Sequence, residues 1–79
     1  MDREDFRVKL ARTLEVPDAD LVDAYPLEGE HWDSLAVLST IALVDEELGI
    51  TVDASALGSC TRVGTLLDAI ERAASSSSA

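Results

Sequence analysis

Apolar residues recur at helical rather than alternating spacing in three separate stretches of this chain, and that periodicity restricts it to an all-α fold. Phe6, Leu10, Thr13 and Leu14 lie along one side of a helix over residues 3–15, with Pro17 just beyond its end. Val37, Ile41, Val44 and Leu48 fall within about 60° of one another at 100° per residue. A second helix over Ser34–Leu48 therefore turns these four to the core, with Leu38 on the flank, and Gly49 supplies a left-handed cap. Val63, Leu66, Leu67 and Ile70 sit at i, i+3, i+4 and i+7 of a last helix from Arg62 to Arg72, with Thr61 as its N-cap. Gly64 weakens that helix by about 1 kcal/mol relative to alanine.

The remaining segments connect these helices. Residues 16–32 hold Pro17, Pro26 and Gly29, and form a long loop with Leu21, Val22, Tyr25 and Leu27 available to pack it. Ile50 and Val52 bracket a short extended piece, and Asp53–Leu57 suits one brief helical turn ending at Gly58. The AASSSSA segment at 73–79 has nothing to bury and reads as a disordered tail. The expected architecture is a small four-helix bundle over residues 1–72, with three longer helices, one short one and a long first loop.

Charge narrows the function. Six basic residues stand against sixteen acidic ones, a formal net charge of −10. Such a chain lacks the cations needed to displace counterions from nucleic acid or to hold anionic lipid. The asymmetry is internal as well. Residues 1–12 carry four cations and three anions, whereas residues 13–79 carry two cations and thirteen anions. An acidic surface of this kind suits a partner with a basic one. The single Cys60 excludes an internal disulfide and suits a reducing, cytoplasmic setting. The longest apolar runs, Leu35–Leu38 and Ile41–Val44, fall far short of the roughly 20 residues of a membrane span, so no membrane insertion is expected. The opening Asp2-Arg3-Glu4-Asp5 is unlike a signal peptide. With one small aliphatic core, the chain is expected to be a monomer.

The chemically informative stretch is Trp32-Asp33-Ser34-Leu35. Asp33 is a strong N-cap for the second helix, able to accept from the N–H of Leu35 or Ala36. Trp32 and Val37 then occupy the two positions of a hydrophobic staple. Ser34 becomes the first helical residue with its hydroxyl uncommitted, where a phosphate ester would meet free backbone N–H groups and the positive pole of the helix. The alternative, Ser34 as the cap itself, lacks the Glu or Gln of a capping box, because Val37 stands at that place. His31, Asp33 and Ser34 supply the residue types of a hydrolytic triad, but near neighbours entering one helix cannot converge as a triad must. No G-x-S-x-G elbow is present, and the chain is not expected to catalyse a reaction. His31 with Glu28, Glu30 or Asp33 shows no ordered metal-ligand spacing, so no metal is expected. Cys60 reads as a small packing residue.

Asp33-Ser34-Leu35, followed by an aliphatic helix ending in Asp45-Glu46-Glu47-Leu48-Gly49-Ile50, resembles the acyl carrier proteins. The likeness covers about residues 4–72 and includes the long first loop, the short third element and the Thr61-Arg62-Val63 opening of the last helix. It implies that Ser34 carries a 4′-phosphopantetheine arm, added from coenzyme A by a phosphopantetheinyl transferase. On that arm an acyl or aminoacyl group would travel as a thioester between acyl-loading and acyl-transferring enzymes with basic docking surfaces. Fatty-acid, polyketide or other secondary-metabolite synthesis would all suit. By the same resemblance Asp33 presents the serine, while Leu35, Ala42, Asp45 and Glu46, on the side of the helix shared with Ser39, meet the partner. Two departures mark this chain: His31 stands where the family often has glycine, and Ala36 and Ser39 are uncharged where the helix is usually acidic. A second class of function remains beside it, an acidic helical interaction domain that binds a basic partner and carries no arm.

Overall fold

The Val63–Ile70 stripe forms the centre of the molecule: Val63, Leu66, Leu67 and Ile70 are completely buried. In the computed structural model, which describes residues 2–77 and gives 30, 31, 76 and 77 by backbone alone, they belong to the last of four α-helices. These are α1 (Arg3–Leu14), α2 (Ser34–Leu48), α3 (Ala54–Gly58) and α4 (Val63–Ser77). Among the described residues there is no strand, only an isolated pairing of Pro26 with Arg62. The fold is the small all-α bundle that the periodicity predicts. No helix among the described residues is long and apolar enough to cross a membrane.

Local chemistry sets each boundary. Asp2 caps α1 by accepting from the N–H groups of Glu4 and Asp5, and the chain leaves that helix through Glu15, held in the left-handed region at φ 58°. Gly49 ends α2 at φ 67°, a conformation that costs glycine nothing. Asp53 caps α3 through the N–H of Ala56. At α4 the expected cap shifts by one residue. The carbonyl of Arg62 accepts the first helical bond, from Leu66 N–H, while that of Thr61 accepts from Leu27 N–H in the first loop. The helix also runs on to Ser77, past the expected end at Arg72 and through most of the predicted disordered tail. Ala73 packs against the core, and alanine is the strongest helix former, with no glycine or proline behind it to stop the turn. Ser78 and Ala79 lie outside the described residues.

The core face of α2 is rotated slightly from expectation. Val37 and Val44 are buried, as is Thr40, whereas Ile41 and Leu48 are half-buried and Leu38 is 58% exposed. Thr40 is tolerated inside because its hydroxyl donates to the carbonyl of Ala36 at 2.9 Å, leaving only its methyl to pack.

The first loop is docked, not draped. Leu21 and Leu27 are buried and Tyr25 half-buried, but Val22 is 52% exposed and takes no share of the packing expected of it. Backbone bonds tie the loop to the start of α4: Val63 N–H donates to Tyr25 O at 3.1 Å and Gly64 N–H to Asp23 O at 2.9 Å. Gly64 permits this approach. A Cβ there would stand 3.1 Å from Asp23 Cβ and 3.3 Å from Asp23 O. On the other side, Arg7 of α1 reaches Asp23 at 2.8 Å and donates to Leu21 O at 3.1 Å. Trp32, 9% exposed, closes the loop beneath the start of α2.

Candidate functional site

The loop ends by delivering Asp33 and Ser34 to the first turn of α2. The Asp33 carboxylate accepts from Ala36 N–H at 2.9 Å, and its carbonyl accepts from Val37 N–H at 3.0 Å. Asp33 is thus the N-cap, and the bond that a capping serine would make is already taken. Ser34, exposed, holds the first helical position. Its own N–H and that of Leu35 precede the first intrahelical bond and point along the positive end of the helix dipole. Trp32 and Val37, the expected staple, both lie in the buried core on either side of the cap.

Two depressions flank this turn. One, of about 400 Å³, runs between the start of α2 and α3 and is lined by Trp32, Ser34, Val37, Leu38, Ala54, Ser55 and Gly58. The other, of about 340 Å³, lies between the end of α1 and the start of α2, where Leu14, Glu15, Asp33, Leu35 and Ser39 form its walls. Between and beyond them, α2 presents an apolar outer face. Leu35 is 71% exposed and Leu38 58%; Ala42 is exposed too, with Ser39 half-buried at the edge. Asp45 and Glu46 are exposed on the same side, but eleven and twelve residues along the helix, roughly 16–18 Å from Ser34 at 1.5 Å per residue. The predicted site residues therefore share one face without sharing one pocket.

Two residues outside the predicted set line these depressions: Leu38 beside Ser34, and Glu15 beside Asp33 and Leu35. Leu38 was placed on the flank of the core stripe, although its 100° offset from Val37 already pointed it outward. Glu15 carries no local sign of its position, because it reaches the site only through the packing of α1 on α2.

Other candidate chemistry finds less support. Among the described residues no three metal-ligating side chains come together; the side chains of Glu30 and His31 lie outside them. Cys60 is 5% exposed, with its thiol 3.4 Å from Ala56 O, and burial pushes its pKa up. Its surroundings are those of a packing residue. The Trp32 indole N–H is buried without an acceptor among the described residues. Comparison with known protein families, curated proteins and solved structures finds no match for this chain.

Proposed function

We propose that this domain is a carrier protein that takes a 4′-phosphopantetheine arm on Ser34 and presents the attached acyl or aminoacyl cargo to other enzymes. One observation supports the reading above others: an exposed serine at the first position of α2, its hydroxyl released from capping by the Asp33 carboxylate. A serine serving only the helix would occupy the cap.

The residues present suit such a group. Ser34 opens to solvent and to the depression beside α3, and the N–H groups ahead of the first helical bond offer donors to phosphate oxygens. In the modification reaction the Ser34 oxygen attacks the phosphorus of coenzyme A nearest the pantetheine. A new P–O ester bond forms, the anhydride bond breaks, and 3′,5′-ADP leaves, with the hydroxyl proton passing to a base of the transferase. When bound, the group supplies a terminal thiol that holds cargo as a thioester. The chain's own part is positional. Asp33 fixes the first turn, Trp32 and Val37 anchor it to the core, and Leu35, Leu38 and Ala42 offer an apolar patch to an enzyme whose basic residues meet Asp45 and Glu46. Tethering raises the effective concentration of cargo at each successive active site.

The test is an intact-mass spectrum after incubation with coenzyme A, Mg²⁺ and a broad-specificity phosphopantetheinyl transferase. The wild-type chain should gain one phosphopantetheine group and the Ser34→Ala variant none. Modification of the alanine variant, or of a serine among residues 75–78, sinks the assignment. No mass gain in wild type leaves the acidic interaction domain as the reading.

A further inference from the structure

We propose that Trp32 makes this domain selective for a short, oxygenated acyl cargo: a ketone or hydroxyl oxygen on the chain enters the depression between α2 and α3 and takes the hydrogen bond that the Trp32 indole N–H lacks. This rests on the carrier reading of Ser34 and names the class of cargo.

Three observations carry it. First, Trp32 is 9% exposed, and its indole N–H is buried with no acceptor among the described residues. A donor taken out of water and left unpaired is a cost to the fold. The staple with Val37 does not require that cost, because phenylalanine would pack at the same place and leave no donor to satisfy. Second, Trp32 and Ser34 line the same depression of about 400 Å³. A group tethered to Ser34 therefore meets this wall at high effective concentration. Third, the rest of the lining suits an acyl chain. Val37, Leu38 and Ala54 are apolar, with Ser55 the other polar residue beside Ser34. The volume lies near the lower end of small-molecule clefts, which fits a short chain. Leu38, 58% exposed, is free to turn outward and admit it, as exposed side chains change rotamer readily. Within such an apolar site one polar group decides what is held. The indole N–H donates and never accepts, so it favours an oxygen acceptor over a plain methylene.

The experiment loads the full chain with the same transferase from coenzyme A, hexanoyl-coenzyme A and 3-oxohexanoyl-coenzyme A, and intact mass verifies each product. Urea melts followed by circular dichroism then compare the two cargoes, whose chains have equal length. In wild type the 3-oxohexanoyl form should have a folding equilibrium constant about tenfold higher than the hexanoyl form, the worth of one hydrogen bond to a buried donor. In Trp32→Phe, which keeps the staple and removes the donor, the two forms should be equally stable. Trp32 is the single tryptophan, so wild type gives a second reading that needs no variant. Its one indole N–H proton resonance should move downfield with 3-oxohexanoyl cargo and stay in place with hexanoyl cargo or with the bare arm. A shift already complete with the bare arm assigns the acceptor to the arm and overturns the cargo claim. Equal stability of the two wild-type forms, an unmoved indole resonance, or a preference undiminished in Trp32→Phe also overturns it, and the carrier reading stands. A wild-type chain that gains no arm removes both.

Discussion

Gly64→Ala puts a simple helix rule against a tertiary contact. On propensity alone the substitution, in the second residue of α4, should stabilise the protein by about 1 kcal/mol. The structure opposes it. The new methyl would stand 3.1 Å from Asp23 Cβ and 3.3 Å from Asp23 O, closer than atoms normally pack. Asp23 cannot withdraw freely, because its carbonyl accepts from Gly64 N–H at 2.9 Å and its carboxylate is held by Arg7 at 2.8 Å. Forcing a methylene into a filled site costs roughly 1–3 kcal/mol. Set against the propensity gain, the net expectation is a loss of about 1 kcal/mol. Urea denaturation followed by far-ultraviolet circular dichroism measures it directly. The same substitution in an Arg7→Leu background should cost less, since the loop is then free to move, and the difference reads out the coupling. A variant that is more stable than wild type by about 1 kcal/mol would show that the loop is not pinned as described.

Leu35→Ala should cost under about 1 kcal/mol of stability, because its side chain is largely in solvent, yet lower the efficiency of transferase modification. Val44→Ala on the inner face of α2 should cost about 2 kcal/mol, and paired denaturant melts that reverse this order would mean the helix faces are misassigned. Asp33→Asn keeps the cap and should lose only about 0.3–1 kcal/mol of charge–dipole energy, whereas Asp33→Ala should lose more; equal losses in urea melts would count against the cap. Native Cys60, buried and with its pKa pushed up, should react with a thiol reagent at pH 8 about tenfold slower than in the unfolded chain. A fast-reacting thiol should then appear only after modification of Ser34, as a colorimetric thiol titration would reveal.

The features legible in the sequence were those decided within one or two turns of chain. The stripe of α4, the left-handed Gly49 and the Asp33 cap each depend on neighbours three or four residues away, and the structure places them as read, while the stripe of α2 keeps Val37 and Val44 inside but is turned slightly to bury Thr40. The difficulties arose where distant segments meet. Gly64 looked like a weakness in α4 because Asp23, forty-one residues earlier, is what requires it. Thr61 looked like a cap because its carbonyl's engagement by Leu27 belongs to the loop. Thr40 was missed as core since its hydroxyl finds its partner inside the same helix, a bond composition cannot show. At the candidate site the capping logic singled out Ser34 correctly as the first residue of α2, while Glu15 entered only with the packing of α1 against α2.

The placement of the cations bears on how the domain comes apart. Arg3 reaches Asp68 and Glu71 of α4, Arg7 reaches Asp23 of the loop, and Lys9 reaches Glu47 of α2. One helix thus holds positive charge against four acidic residues of three other segments. Were α1 to peel away, residues 13–79 would be left with thirteen anions and only two cations, and the buried side chains of Phe6 and Leu10 would leave the core with it. A partly open state without α1 would therefore be penalised by repulsion as well as by lost burial. The bundle has little route to subglobal opening from its N-terminal side, and its unfolding should be close to a single cooperative event, with the segment bearing Ser34 protected as long as α1 stays in place.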